Sequence, residues 1–328
     1  TTAMIALKRS GSSAKSADGF RLRHPAAIAR AVALGPGAKI HTDTFMITIY
    51  PRNEPMDNPI PPFLYLPRHL TTAEAISPMP HLTPEQKNDF KENGCLIIRN
   101  ALAPEQIQAA QDTLWAGIEA NRNDPETWVE AGPRSPASTN DPAIRATVHE
   151  SPLFAMMEEM VGKDLLNPGS AGPAFVYPSK DKNWSLPVRG HLDGYYTPTN
   201  GVAEGTVGYM TMNVTIYVED IDAKGGCFTY WPGSHRVAHE YFKTHSLLSV
   251  QGGVSSDLYP EGKFPEGQQF VGKAGDAVFW HGQLFHSGSK NVNRNIRMAL
   301  IGRFSRKDSN DIRFETNDDQ WATWEGIN

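Results

Sequence analysis

In an extended chain, residues two apart point to the same face. His191 and Asp193 in Arg189-Gly190-His191-Leu192-Asp193-Gly194-Tyr195-Tyr196 can therefore offer one nitrogen and one carboxylate oxygen to a single ion. Gly194 lets the chain turn away directly afterwards. A third donor has to come from elsewhere, and the candidates are His281 and His286 in the run from Gly275 to Ser289. Two histidines and one carboxylate on one face of a metal leave the opposite positions open, the arrangement of oxygen-activating iron(II) enzymes. A closed structural zinc site would take four protein ligands, usually including cysteine. The chain has only two cysteines, Cys95 and Cys227, far apart in sequence.

Open positions on such a metal suit the keto-acid end of 2-oxoglutarate together with O2. The far carboxylate of that cosubstrate then needs a cation of fixed geometry. Arg297 lies eleven residues beyond His286, across a turn at Lys290 to Asn295, so a hairpin would return it beside the metal histidine. A planar guanidinium pairs bidentately with a carboxylate. Arg297 also opens an apolar run, Met298-Ala299-Leu300-Ile301, and an Arg buried there calls for an anionic partner. Tyr177, Thr215 and Tyr217 have two readings, as hydroxyl contacts to cosubstrate or substrate and as plain β-core. Whichever of the two is not the ligand remains to be placed; His281, which follows Phe279-Trp280, then reads as close to the site or in the core. His235 reads as turn-stabilising, and His239 and His245 as residues of a polar face.

The elements that must position these residues are legible in part. Thr83-Pro84-Glu85-Gln86 predicts a capped helix that ends at Asn93-Gly94. Cys95 to Arg99 follows as a short buried strand. Pro104 opens a second helix carrying Ile107, Ala110, Leu114 and Ile118, and a third is expected over Pro152 to Val161. Beyond Gly172 short apolar or alternating runs are separated by Gly, Pro, Asn and Asp. They are Ala174 to Tyr177, Gly208 to Val218, Cys227 to Trp231, Ala277 to Trp280 and Arg297 to Phe304. That pattern predicts a mainly β protein with N-terminal helices, a double-stranded β-helix or jelly roll of the cupin-like kind. Residues 1–80 read as an N-terminal extension wrapping a catalytic domain over 81–328. The extension holds one β-like run, Phe45 to Tyr50, and a Pro-rich passage from Pro51 to Pro67. The segments Thr197 to Gly205 and Ser246 to Gly267, rich in Gly, Pro and Ser, are expected to form lids.

Over roughly Leu82 to Phe304 the sequence resembles the phytanoyl-CoA dioxygenase family. The resemblance is carried by His191-Leu192-Asp193, by Gly225-Gly226-Cys227-Phe228, by Trp231-Pro232-Gly233-Ser234-His235, and by His286-Ser287-Gly288-Ser289 with Arg297 beyond it. Gly225 stands where the family has Asn. The resemblance implies His286 rather than His281 as the third ligand, with Fe(II), 2-oxoglutarate and O2 as cofactors. It implies oxidation of an unactivated C–H bond, by hydroxylation, desaturation or oxidative cyclisation, with release of succinate and CO2. It also implies acyl-CoA, amino-acid or secondary-metabolite substrates. No Lys/Arg cluster near the motifs offers a groove for the phosphates of CoA, which favours a small metabolite or amino acid over an acyl-CoA hydroxylase. A jelly-roll binding protein without catalysis, and a cupin-like enzyme working without a keto acid, are the rival readings.

Bulk properties narrow the field. The chain of 328 residues has a formal net charge of -5, with 20% charged and 39% hydrophobic residues. That is a globular composition with no basic excess, so neither a nucleic acid nor a membrane surface is an expected partner. No apolar stretch has spanning length. A cytoplasmic protein is expected, with two cysteines in packing roles; Lys8, Arg9 and Lys15 in a polar N-terminal tail leave an organellar presequence open. The oligomeric state is not legible, and a homodimer is compatible with the sequence.

Overall fold

A computed structural model describes residues 4–9, 39–42, 45–50, 81–135, 139–198, 202–208, 210–250, 258 and 266–327. The chain divides into two units, Thr1–Ile76 and Ser77–Asn328. In the first, strands β1 (Met4–Arg9), β2 (Lys39–Thr42) and β3 (Phe45–Tyr50) form an antiparallel sheet in the order β1-β3-β2. The β-like run is thus β3. Met4 to Arg9, expected within a polar tail, is instead a strand paired residue for residue with it. The Pro51 to Pro67 passage lies outside the described residues.

The second unit begins with helix α1 (Pro84–Asn93). Its capping box is complete: Thr83 Oγ1 accepts from the Gln86 N–H at 3.2 Å, and the Thr83 N–H donates to Gln86 Oε1 at 2.9 Å. Gly94, at φ +72°, ends the helix and sends the chain into β4 (Cys95–Ile98). Helix α2 (Pro104–Ala116) buries Ala110 and Leu114. Helix α3 (Pro142–His149) is an element the sequence reading passed over, although Asp141 caps it by accepting from the Ala143 N–H and Pro142 occupies its first turn. Helix α4 (Leu153–Val161) buries Leu153, Met157, Met160 and Val161.

The β elements follow: β5 (Ala171–Val176), β6 (Met212–Tyr217), β7 (Phe228–Tyr230), β8 (Gln268–Gln269), β9 (Ala277–His281), β10 (His286–Gly288) and β11 (Arg297–Phe304). They form two antiparallel sheets, β4-β9-β6-β11-β5 and β10-β7-β8. From β6 to β11 the chain passes back and forth between the sheets, which is the winding of a double-stranded β-helix.

Period-two alternation splits the larger sheet into two faces. Met212, Val214, Ile216, Phe279, Met298 and Leu300 join the helices in one core. The opposite face carries Cys95, Tyr217, Val278, Trp280 and Ala299, packed with Phe228 and Tyr230 of the smaller sheet. Cys95 and Cys227 are both free and buried in this second core, where burial pushes the Cys95 thiol up to about 12. Helix α5 (Ser234–Phe242) follows β7, and the short α6 (Ser309–Ile312) follows β11. Trp321, Trp324 and Ile327 then close the helix-side core, with both Trp rings against Phe90 at 5.9 and 5.6 Å. Among the described residues no helix is long and apolar enough to cross a membrane.

Candidate metal centre

His191 and His286 come together through their backbones. The His191 N–H donates to the His286 carbonyl at 2.9 Å, and the His286 N–H donates to the His191 carbonyl at 3.2 Å. A reciprocal antiparallel pair of this kind puts both side chains on one face, and the two rings lie 4.5 Å apart. Gly190 makes the approach possible, since a Cβ there would fall 2.8 Å from the His286 nitrogen and 2.7 Å from the Trp231 ring. Gly194, at φ +89°, turns the chain as expected; a Cβ on it would collide with the Gly208 carbonyl. Asp193 lies between the rings, with Oδ1 3.5 Å from His191 Nε2 and Oδ2 3.6 Å from His286 Nε2. One donor atom from each residue lies within 4.8 Å of the other two.

The surroundings suit cation binding. His286 Nδ1 donates to the Leu284 carbonyl at 3.0 Å, which orients the ring with Nε2 towards Asp193. The His286 ring is held between Trp280, at 4.2 Å, and Phe228, at 5.6 Å. Burial would raise the Asp193 carboxyl. The charge of His286, hydrogen bonds from His191 and His286 and the charge of Arg303 outweigh it and hold Asp193 far below the usual carboxylate range. Arg303 Nε donates to Asp193 Oδ2 at 2.5 Å. Arg303 was missed in the sequence, although the signal exists: it lies six residues beyond Arg297 on the same strand, hence on the same face.

Arg297 is buried at 5% exposure. Its Nε donates to the Gly226 carbonyl at 2.8 Å and its Nη1 to the Ala174 carbonyl at 2.9 Å. Among the described residues no carboxylate pairs with it. Burial lowers its proton affinity, and Arg134 adds like charge. A cleft of about 540 Å³ bounded by Arg134, Val176, Tyr177, Gly288 and Ser289 adjoins it. A buried guanidinium held only by carbonyls is costly without an anion, so the fit to a cosubstrate carboxylate is good.

The other candidates divide. Thr215 faces the space between the sheets and accepts from Trp280 Nε1 at 3.2 Å. Tyr177 stands on the helix side, where its hydroxyl donates to the Pro133 carbonyl at 2.9 Å; the structure does not bring it to the three donors. The Tyr217 hydroxyl is taken up by the Phe270 carbonyl and the Phe228 N–H. His281 shares the parity of Ala277 and Phe279, so it faces the helix side and packs on Trp324 at 5.3 Å. His235 fastens the Pro-Gly-Ser-His turn to α1, its Nε2 donating to the Lys91 carbonyl at 2.9 Å. Ser234 ties the same turn to the entry of β10: Oγ donates to the Trp231 carbonyl at 2.6 Å and accepts from the Phe285 N–H at 2.9 Å. His245 is exposed as expected. His239 is not, because α5 buries the stripe His235, Ala238, His239 and Phe242 at helical spacing. Residues 199–201 of the first expected lid, and 251–257 and 259–265 of the second, lie outside the described residues.

The phytanoyl-CoA dioxygenase (PhyH) family model matches residues 90–299, well over half of the chain. The chain belongs to this family. The matched region runs from α1 into β11 and contains all three donors and Arg297. Human peroxisomal phytanoyl-CoA dioxygenase is 28% identical over 94 residues, a stretch that covers 28% of this chain and only 27% of that protein. Among solved structures, the non-haem α-ketoglutarate-dependent carbocyclase SnoK of nogalamycin biosynthesis superposes with a TM-score of 0.48 and 19% identity. The match covers 73% of this chain and 93% of SnoK. HygX of Streptomyces hygroscopicus, solved with nickel and 2-oxoglutarate bound, gives a TM-score of 0.43 and 17% identity over 69% of this chain and 88% of its own. Both fall below a TM-score of 0.5, so the chemistry of this family member rests on its own residues.

Proposed function

We propose that the protein is an Fe(II)- and 2-oxoglutarate-dependent dioxygenase. The observation that carries the reading is the open His191–Asp193–His286 donor set, found together with a buried Arg297 that no carboxylate neutralises among the described residues. Two nitrogens and one carboxylate oxygen suit ferrous iron and leave room for other ligands. An iron(II) ion held there would supply O2 activation coupled to the oxidative decarboxylation of 2-oxoglutarate to succinate and CO2. The protein's own part is positional. His191 and His286 present their nitrogens from paired backbones, Arg303 restrains Asp193, Arg297 takes the far carboxylate, and the walls of Trp280 and Phe228 limit water around His286.

The substrate is read as a small metabolite or amino acid. A cleft of about 610 Å³ begins at Tyr195, two residues beyond Asp193, and is walled by Tyr196, Val207, Leu247, Leu248 and Val250. That volume suits a small molecule. None of its described lining residues is Lys or Arg, which disfavours the phosphates of an acyl-CoA. Hydroxylation, desaturation and oxidative cyclisation are all open to such a site.

The test is consumption of 2-oxoglutarate in air by the iron-loaded protein, followed as succinate. Succinate formed by wild type and suppressed in Arg297→Met supports the reading. Iron-loaded wild type that yields none, across a panel of amino acids and small metabolites, rejects it in favour of a jelly-roll binding protein.

A further inference from the structure

Asn213 is fully buried on β6, and neither its Oδ1 nor its Nδ2 has a hydrogen-bonding partner among the described residues. It shares the inter-sheet face with Thr215 and Tyr217. The other polar side chains of that face are engaged: Thr215 by Trp280, the Tyr217 hydroxyl by backbone, Arg297 by two carbonyls and Arg303 by Asp193. A buried carboxamide with no partner is destabilising, and few survive unless something outside the fold completes them.

Strand register places this amide. Asn213 lies directly opposite Trp280 on one side and Arg303 on the other. Trp280 packs on the ring of His286, and Arg303 holds Asp193. Asn213 is therefore flanked by the two residues that brace the metal-ligand candidates. It is not at the level of Arg297, which lies six residues from Arg303 along β11, roughly 20 Å of extended chain. A role at the far carboxylate of the cosubstrate is thereby excluded.

We infer that the Asn213 carboxamide hydrogen-bonds the keto-acid end of 2-oxoglutarate, the end that would occupy the open face of the metal. The inference rests on the proposed function. A carboxamide brings two N–H donors, and a carboxylate bound to a metal through one oxygen keeps the other free to accept. Asn213 is thus a binding residue for the cosubstrate head, as Arg297 is for its tail.

The two ends can be probed separately, because pyruvate carries the keto-acid head without the far carboxylate. The full chain is loaded anaerobically with iron(II) and titrated with 2-oxoglutarate and with pyruvate, following the visible charge-transfer absorption. Asn213→Leu, close in shape, is expected to weaken both keto acids by a similar factor, about tenfold or more. Arg297→Met is expected to weaken 2-oxoglutarate and leave pyruvate unchanged. Thermal melting of the metal-free Asn213→Leu protein should be unchanged or raised, since an unsatisfied amide has been removed; this separates lost binding from lost folding. Should the Leu variant fold poorly, Asn213→Asp is expected to weaken both keto acids by charge repulsion. Wild-type affinity for both in the substituted protein, or a loss confined to 2-oxoglutarate, overturns the inference alone. A wild-type protein that binds iron(II) but neither keto acid overturns the dioxygenase reading and this inference together.

Discussion

His191 and His286, ninety-five residues apart, exchange both backbone hydrogen bonds, at 2.9 and 3.2 Å. The geometry of the donor set is thus fixed by a rung of β-pairing, and the side chains inherit it. Gly190 permits that rung. Gly190→Ala would place a methyl group 2.8 Å from the His286 nitrogen and 2.7 Å from the Trp231 ring. The expected outcome is a loss of iron(II) affinity of about tenfold or more, with about 1–3 kcal/mol of lost stability. Metal titration by calorimetry together with urea unfolding checks both.

Arg303 grips Asp193, and under the proposed function it would act on the metal through that carboxylate. Arg303→Met removes the 2.5 Å contact to Oδ2 and frees the carboxylate to rotate. Iron(II) affinity should fall by about 10- to 100-fold, the usual consequence of losing an outer partner of a ligand. Arg303→Lys should recover part of the loss. An unchanged affinity in Arg303→Met would show that Asp193 needs no such restraint.

Arg297 presents the opposite balance of stability and binding. Its guanidinium is buried on carbonyls alone, so Arg297→Met should leave the metal-free protein as stable or raise its stability by about 1–4 kcal/mol. The same change should weaken 2-oxoglutarate by about 100-fold, since it removes one partner of a buried charge pair. Melting temperature and equilibrium binding are read on the same samples.

A second histidine group predicts the acid sensitivity of the fold. Burial pushes His235 down to about 4, against an opposing pull from the hydrogen bond to the Lys91 carbonyl. Burial also lowers His281, with further lowering from the nearby charges of His235 and His239. A base whose folded pKa is depressed binds more protons when unfolded. Stability is therefore complete above about pH 6.5 and declines as the pH falls towards 4, by about 3 kcal/mol for His235 alone. The urea midpoint should drop between pH 7 and pH 5, and His235→Gln should flatten that slope.

The sequence made the donors legible because His191-Leu192-Asp193 and the Arg297 spacing are local patterns with chemical meaning. It made α1 legible because Thr83, Pro84, Gln86 and Gly94 form a complete set of stop and start signals. Asp141-Pro142 carries a similar start signal for α3, and Ile144, Thr147 and Val148 form its buried stripe, but at eight residues the helix is too short for that spacing to repeat. Alternation along β11 puts Arg303 on the face of Arg297, but what Arg303 and Asn213 touch was hidden for a different reason. Their significance comes from which residues of β6, β9 and β11 lie side by side, and register between strands far apart in sequence is not written in any one of them. His239 was misplaced because a histidine carries no sign of which helix face will be buried.

The most direct test of the central claim is anaerobic titration of the full chain with iron(II) followed by 2-oxoglutarate, read by the weak visible charge-transfer band. The account predicts one metal per chain and a band in wild type. His281→Ala should retain the band, since His281 faces the helix-side core, and it should be lost in His191→Ala and His286→Ala. A band that survives His286→Ala and disappears in His281→Ala, or no band in a wild-type protein with iron bound, would contradict it.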